Sequence, residues 1–319
     1  MTGRIVVVGD VVTDVVAAYA DPLAVGGDTS ARIELTGGGS AANIAAWLAS
    51  TGVPVTLVAM VGADATGEDR IAELALGGVD CAIRRAPEAG TGTVIVLSRA
   101  GERSMLSDRG ANLLLSPADV DAALAGAPDA VHLHLSGYVL LDEASRAAGR
   151  YALRVAHERG LTMSVDAASA RALRRIGGAA FLAWVRGVHV LLANAAEAAA
   201  LPAALTGHVR HAVITRGAQG AVWTDPHIEV PAEPAVVVDV TGAGDAFTAG
   251  FLAAWCAGAD PAEALRAGNR LGARAVSGTG ARPVPASVSR PASVSSPASV
   301  SRPAAGSVVG VDDPGRLGG

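Results

Sequence analysis

Apolar strand-like runs alternate along this chain with stretches of helical spacing, and that alternation constrains the fold more than any other feature. Ile5–Gly9, Pro54–Val61, Thr93–Ser98, Ala130–Leu135, Leu161–Asp166, Gly187–Leu192 and Ala212–Thr215 read as strands. Ser40–Ser50, Asp142–Arg159, Asn194–Ala200, Gly244–Ala257 and Pro261–Val276 read as helices, the last opened by Asp260 and Pro261. A helical crossover packs back onto its own sheet, so such a rhythm predicts an α/β fold with a mostly parallel central sheet and helices on both faces. Aromatic residues make up only 3% of the chain, so the core must be Val, Leu, Ile and Ala; with 39 glycines this suits buried parallel strands better than a β-sandwich. Ligands of such sheets bind beyond the carboxyl ends of the strands.

Two segments interrupt the rhythm. Val11–Leu35 and Arg84–Asp108 are strand-like but carry turn residues and charges, and are expected to pair into a small separate sheet over the active face, a lid. From Pro285 a six-residue repeat, PASVSR, brings a proline at every sixth position. Proline blocks helix and central strand, so residues 284–319 are expected to be a disordered tail behind a domain of residues 1–283.

The 319 residues are 50% hydrophobic and 17% charged, as in a globular chain, with a net charge of −5 and no basic stripe for nucleic acid. Uncharged runs such as Ala246–Ala259 are shorter than the roughly 18–20 residues of a membrane span. The N-terminus reads as a first strand, not a signal peptide. Cys81 and Cys256 lie far apart, which argues against a disulfide framework or a Cys-based zinc site; a cytoplasmic location is expected. The chain contains no lysine. That removes Schiff-base chemistry, the Walker A loop and the protein-kinase lysine.

An anion can still be held by backbone amides. In Val236–Phe251 a β-branched strand is expected to run into Thr241-Gly242-Ala243-Gly244-Asp245 and then a helix of small residues. Amides and a helix N-terminus converge there, and Asp245 could accept a proton from a nearby hydroxyl; an isolated motif of this kind reads equally well as a capped helix start. Thr36–Asn43, TGGGSAAN, allows close backbone approach, with Asn43 able to donate and accept to a polyol. Asn194 and Glu197, at a strand's carboxyl end, could hold a hydrated Mg²⁺ or simply cap a helix. Thr215–Gly220 reads by itself as a hairpin turn and Asp14 as a surface carboxylate; His132 and His134 alternate on an apolar strand and read as core or edge residues rather than metal ligands.

Taken together and in order, these motifs resemble those of the ribokinase-like (PfkB-type) carbohydrate kinases over about Ile5–Pro283. DVTGAGDAFTAGF agrees with that family's C-terminal signature, GGSAAN with its N-terminal glycine motif, NAAE with its Asn-x-x-Glu motif and TRGAQGA with its nucleotide-side turn; Gly110–Leu113 with Ser116-Pro117 is similar to a further ribokinase segment. The resemblance implies a ribokinase-like three-layer α/β/α fold with a β-sheet lid, an ATP and Mg²⁺ requirement, and phosphorylation of a hydroxymethyl group of a sugar or sugar-like molecule. It makes Asp245 the general base and Gly242, Ala243 and Gly244 the anion hole. Asp14, Gly38, Gly39 and Asn43 match sugar-binding positions, and Asn194, Thr215, Gly217, Gly220 and Asn269 nucleotide-side positions. Glu197 matches a glutamate linked to Mg²⁺ through water. Asp239 and Thr241 match a monovalent-cation loop present in part of the family, hence an expectation of K⁺; pairing of lids into a homodimer is also implied. Arg103 and Arg109 are added basic groups at the lid edge, and Arg109 is expected at the substrate. Val12 stands where ribokinases often carry an Asn, so ribose itself is not implied. Three other readings stay open: a nucleoside kinase of pseudouridine type, to which Asp166–Ser169 bears a faint likeness; a kinase of an acidic ketosugar, whose carboxylate Arg103 or Arg109 could pair; and a sugar-binding regulator without catalysis, against which the intact Asp245 argues.

Overall fold

Thirteen strands form two sheets among the described residues of a computed structural model, which are 3–100, 102–205 and 207–283. In chain order they are Arg4–Val8 (β1), Val12–Tyr19 (β2), Ala31–Gly38 (β3), Val55–Gly62 (β4), Asp80–Ala86 (β5), Gly92–Arg99 (β6), Glu102–Asp108 (β7), Ala130–Leu135 (β8), Thr162–Asp166 (β9), Val190–Asn194 (β10), His211–Thr215 (β11), Ala221–Thr224 (β12) and His227–Val230 (β13). The large sheet runs β13-β12-β11-β10-β9-β8-β1-β4-β5. All its pairs are parallel except β11–β12 and β12–β13, a hairpin edge.

The helices are Ser40–Ser50 (α1), Ala65–Leu76 (α2), Pro117–Gly126 (α3), Gly137–Leu141 (α4), Glu143–Glu158 (α5), Ala170–Ile176 (α6), Gly178–Trp184 (α7), Ala195–Ala198 (α8), Ala243–Cys256 (α9) and Pro261–Val276 (α10). β1 shows why they cover both faces. Val6 and Val8 pack with Leu124 of α3, Leu140 of α4 and Ala152 of α5. Ile5 and Val7, pointing the other way, pack with Leu48 of α1, Phe251 of α9 and Leu265 of α10. These four apolar residues of β1 are fully buried, each contributing roughly 1.5–3 kcal/mol through burial. The result is the expected three-layer fold.

The second sheet, ordered β3-β2-β6-β7, is antiparallel except for β2–β6. It draws on the two expected segments with two corrections. Arg84–Ala86 belong to β5 in the large sheet, and Thr93–Ser98, read as part of the main rhythm, lies in β6 of the small one. A third correction concerns Val236–Val240, which forms no strand. Val236 is 80% exposed, and the Val238 amide donates to the Val276 carbonyl at 2.7 Å. Strand propensity needs a neighbouring edge to act on, and here the neighbour is a helix end. The expected tail lies outside the described residues. Among the described residues no helix is long and apolar enough to cross a membrane.

Candidate active site

The chain leaves β1 for the small sheet and β4 on one side, whereas β8 continues on the other. The crevice opens where the strand order reverses, beyond the carboxyl ends. There Asp10 follows β1, and its Oδ2 accepts from Arg109 Nη1 at 3.1 Å.

The turn into α1 brings the first motif to this point. Gly39 has φ +96°, and a side chain there would crowd the Asp10 carbonyl. A side chain on Gly38 would overlap the Asp14 carboxylate, so the glycine leaves Asp14 its place on β2. Burial raises Asp14 to about 6, with Arg282 pulling the other way. Just inside α1, Ser40 Oγ donates to Asp245 Oδ1 at 2.8 Å and Asn43 Nδ2 to Asp245 Oδ2 at 2.9 Å. Two motifs some two hundred residues apart thus meet at one carboxylate.

Asp245 lies in the first turn of α9, whose N-cap is Gly242 in the left-handed region (φ +73°). Burial pushes its carboxyl up to about 7 against the hydrogen bonds from Asn43 and Ser40, and the Asp166 and Asp10 charges add to the rise. A carboxyl in that range accepts a proton near neutral pH. Of the expected anion-hole amides, Ala243 donates to the Val240 carbonyl at 3.3 Å. Gly244 is exposed with open space around its Cα, and among the described residues no chain acceptor meets the Gly244 or Asp245 amides.

The other expected residues fall into place less simply. Asn194 and Glu197 form a reciprocal capping box at α8. Burial raises the Glu197 carboxyl, and the nearby Asp166 charge adds to it. Asp166 Oδ2 is buried without a hydrogen bond, 3.3 Å from His134 Nε2. Among the described residues no three His, Cys, Asp or Glu side chains cluster as a metal cage. Glu197 lies near enough to Asp166 for that charge to act on it, and two such carboxylates are oxygen donors of the kind Mg²⁺ takes while keeping several waters. Thr215 closes β11, and Gly217 opens the turn to β12 with φ +58° and free space. Gly220 has a packing reason: a side chain there would run into the Val230 carbonyl. Asn269 on α10 donates to the Pro231 carbonyl at 2.8 Å, just past the end of β13.

Arg109, expected at the substrate, is instead engaged inside the protein. Its guanidinium pairs with Asp10 and Asp142, each at 3.1 Å, and lies over the Tyr138 ring. Asp239 and Thr241, expected around a monovalent cation, face Arg103 of β7. Arg103 donates to Thr241 Oγ1 and, at 2.6 Å, to Asp239 Oδ1. Burial raises Asp239, but hydrogen bonds from Thr241, Arg103 and Gly280 prevail and hold it near 2. His132 and His134 are fully buried, as read, and share the Ser164 hydroxyl. Sequence reasoning missed Ser40, Asp10, Asp166 and Arg282. Ser40 and Asp10 carried a signal, since each directly adjoins a glycine turn at a strand or helix end; Arg282 carried none.

The model of the pfkB family carbohydrate kinases matches residues 2–287. The ATP-dependent ribose-1-phosphate kinase of Halopiger xanaduensis is 33% identical, over 82% of this chain and 88% of its own. Two solved structures share the fold. Adenosine kinase from Sinorhizobium meliloti superposes with a TM-score of 0.78 at 24% identity, covering 89% of this chain and 97% of its own. The E. coli protein described as ribokinase II, in complex with ATP and Mg²⁺, does so with 0.73 at 24% identity, covering 88% and 94%.

Proposed function

The chain belongs to the pfkB family of carbohydrate kinases, and within it we propose that Asp245 is the general base of phosphoryl transfer from ATP to a hydroxymethyl group of a sugar. The observation that carries this is the Asp245 carboxylate, held by Ser40 and Asn43 beside the open amides at the start of α9 and buried enough to titrate near neutrality. Asp245 takes the hydroxyl proton as the oxygen forms its bond to the γ-phosphorus. The bond from that phosphorus to the β-bridging oxygen breaks, and ADP leaves with the electron pair. Charge developing on the transferred group meets the Gly244 and Asp245 amides and the positive end of α9. Asp14, Gly38, Gly39 and Asn43 hold the sugar hydroxyls.

The nucleotide lies along Asn194, Thr215 and the Gly217–Gly220 turn, with Asn269 on the same side holding the end of β13. Mg²⁺, near Glu197 and Asp166, would neutralise phosphate charge. The small sheet acts as the lid, closing over Asp14 to exclude water. Its outer face, away from Asp14, exposes Ile33, Leu35, Ile95 and Leu106, a surface suited to a second copy of the lid.

The test is ADP release with ATP and Mg²⁺ over a panel of ribose, deoxyribose, fructose, ribose 1-phosphate, adenosine and pseudouridine. Ribose 1-phosphate enters because of the Halopiger relative. Turnover of a sugar that Asp245→Asn abolishes supports the reading; turnover of nucleosides alone, or of nothing, refutes it.

A further inference from the structure

Two arginines stand at the sugar end of the cleft with no part in the chemistry above. Arg282 follows α10, and its side chain is 8% exposed; Arg70 is on α2 and 15% exposed. Arg282 Nε donates to Asn43 Oδ1 at 3.1 Å and Nη2 to the Gly38 carbonyl at 2.7 Å. It therefore lines the turn that takes the sugar hydroxyls, close enough to Asp14 to lower that carboxyl. Its Nη1 is buried without a hydrogen-bond acceptor, and so are Nε and Nη1 of Arg70.

The nearest counter-charge is Glu73, one turn along α2. Its Oε1 is 3.1 Å from Arg282 Nη1 and its Oε2 3.4 Å from Arg70 Nη1. These distances give attraction, yet neither contact has hydrogen-bond alignment, and the Glu73 side chain is 39% exposed. A single carboxylate straddles two guanidinium groups and satisfies neither. Buried donors without acceptors are costly, and native chains retain them chiefly where something else supplies the acceptor. Three unmet nitrogens on two arginines call for an anion with more oxygens than a carboxylate, and a phosphomonoester offers three in tetrahedral array.

We propose that Arg70 and Arg282 form an anion subsite beside Gly38 and Asn43, and that the acceptor is a sugar already carrying one phosphate as well as a free hydroxymethyl group. This rests on the kinase reading above and names the class of its substrate.

The experiment compares kcat/KM for ribose and ribose 1-phosphate, with ATP and Mg²⁺, in the intact protein and in Arg70→Gln, Arg282→Gln and Arg150→Gln. Charge-assisted hydrogen bonds are worth about tenfold or more each. The wild-type preference for the phosphate ester should therefore exceed roughly 100-fold, and each of the first two variants should narrow it by roughly tenfold or more, mainly through KM. Arg150→Gln makes the same charge change in the middle of α5 and should leave the preference as it was. Should Arg282→Gln fail to fold, Arg70→Gln, which breaks no hydrogen bond to the sugar turn, decides alone. Equal turnover of ribose, or a preference that Arg70→Gln does not narrow, overturns the subsite and leaves the kinase reading standing. A sugar acid that outruns the phosphate ester overturns the assignment to phosphate. No sugar turnover at all overturns both.

Discussion

Replacing Asp245 with Asn should destroy turnover and at the same time stabilise the protein, with a pH signature that ties both effects to one proton. The base lost is worth about 10²–10⁴ in rate. Hydrogen bonding survives: the new amide oxygen can accept from Asn43 Nδ2, and its NH₂ can donate to Ser40 Oγ, whose proton is free to turn away. Burial holds the Asp245 carboxyl near 7, against about 4 in an unfolded chain. Below about 4 both states are protonated and the carboxyl contributes nothing to pH dependence. Between about 4 and 7 the unfolded state ionises first, so stability falls as pH rises. Above 7 both are ionised and the deficit is constant. At about 1.4 kcal/mol per tenfold preference the ceiling is about 4 kcal/mol. Asp245 keeps a partly exposed side chain at the floor of the cleft, so water recovers some of this, and roughly 1–3 kcal/mol remains. Denaturant titrations of both proteins at several pH values between 4 and 8 read the gap directly. It should open from near zero at pH 4 and level off above 7, while wild-type kcat/KM rises through a limb near 7. A constant gap, or a variant with near wild-type kcat, would refute the reasoning.

Three further outcomes are expected. Gly38→Ala places a methyl group on the Asp14 carboxylate, and overpacking of about 1–3 kcal/mol should raise the sugar KM by roughly 5- to 150-fold with little change in the ATP KM, read by steady-state kinetics. Because Arg103 already occupies Asp239 and Thr241, rates in K⁺, Na⁺ and choline buffers should agree within about twofold; several-fold activation by K⁺ would restore the cation loop implied by the family resemblance. Leu106→Glu on the outer face of the small sheet should convert a dimer to monomer in sedimentation velocity, and a wild-type protein that sediments as a monomer would refute the lid-to-lid contact.

The parts of the fold legible in the sequence are those written in local patterns. The apolar period marks β1, β4, β8 and β9, and Ser40–Ser50 and Pro261–Val276 are read to the residue. The small sheet was legible as two odd segments that pair, but its strand order and exact bounds were not, because β2 pairs with β6 some eighty residues away, and a strand's partner is a tertiary matter. Val236–Val240 shows the limit from the other side: five residues of strand-like composition that find no edge. At the site, Asp245 and Asn43 sit in glycine-marked motifs whose backbone needs are visible in the letters. Arg70 looks like any charged residue on an amphipathic helix, and Arg282 adjoins a low-complexity repeat, where nothing draws attention to it.

That last position matters more than its neighbours suggest. Ala281 accepts from Trp47 Nε1 at 2.9 Å, which ties the segment to α1. Gly280 donates to Asp239 Oδ2 at 3.1 Å, which ties it to the turn before α9. A side chain on Gly242 would meet the Ala281 carbonyl at 2.5 Å, so the left-handed N-cap and this segment fit only because that residue is glycine. Arg282 completes the set through Gly38, Asn43 and Glu73. Three residues near the end of the described chain, Gly280, Ala281 and Arg282, therefore join the glycine turn of the sugar side to the glycine turn of the phosphate side. The two motifs meet at Asp245 by hydrogen bonds, and this segment fixes their spacing from behind. A base that must be held to within about 0.5 Å of its productive position needs such support, and here it is supplied by residues that belong to neither motif.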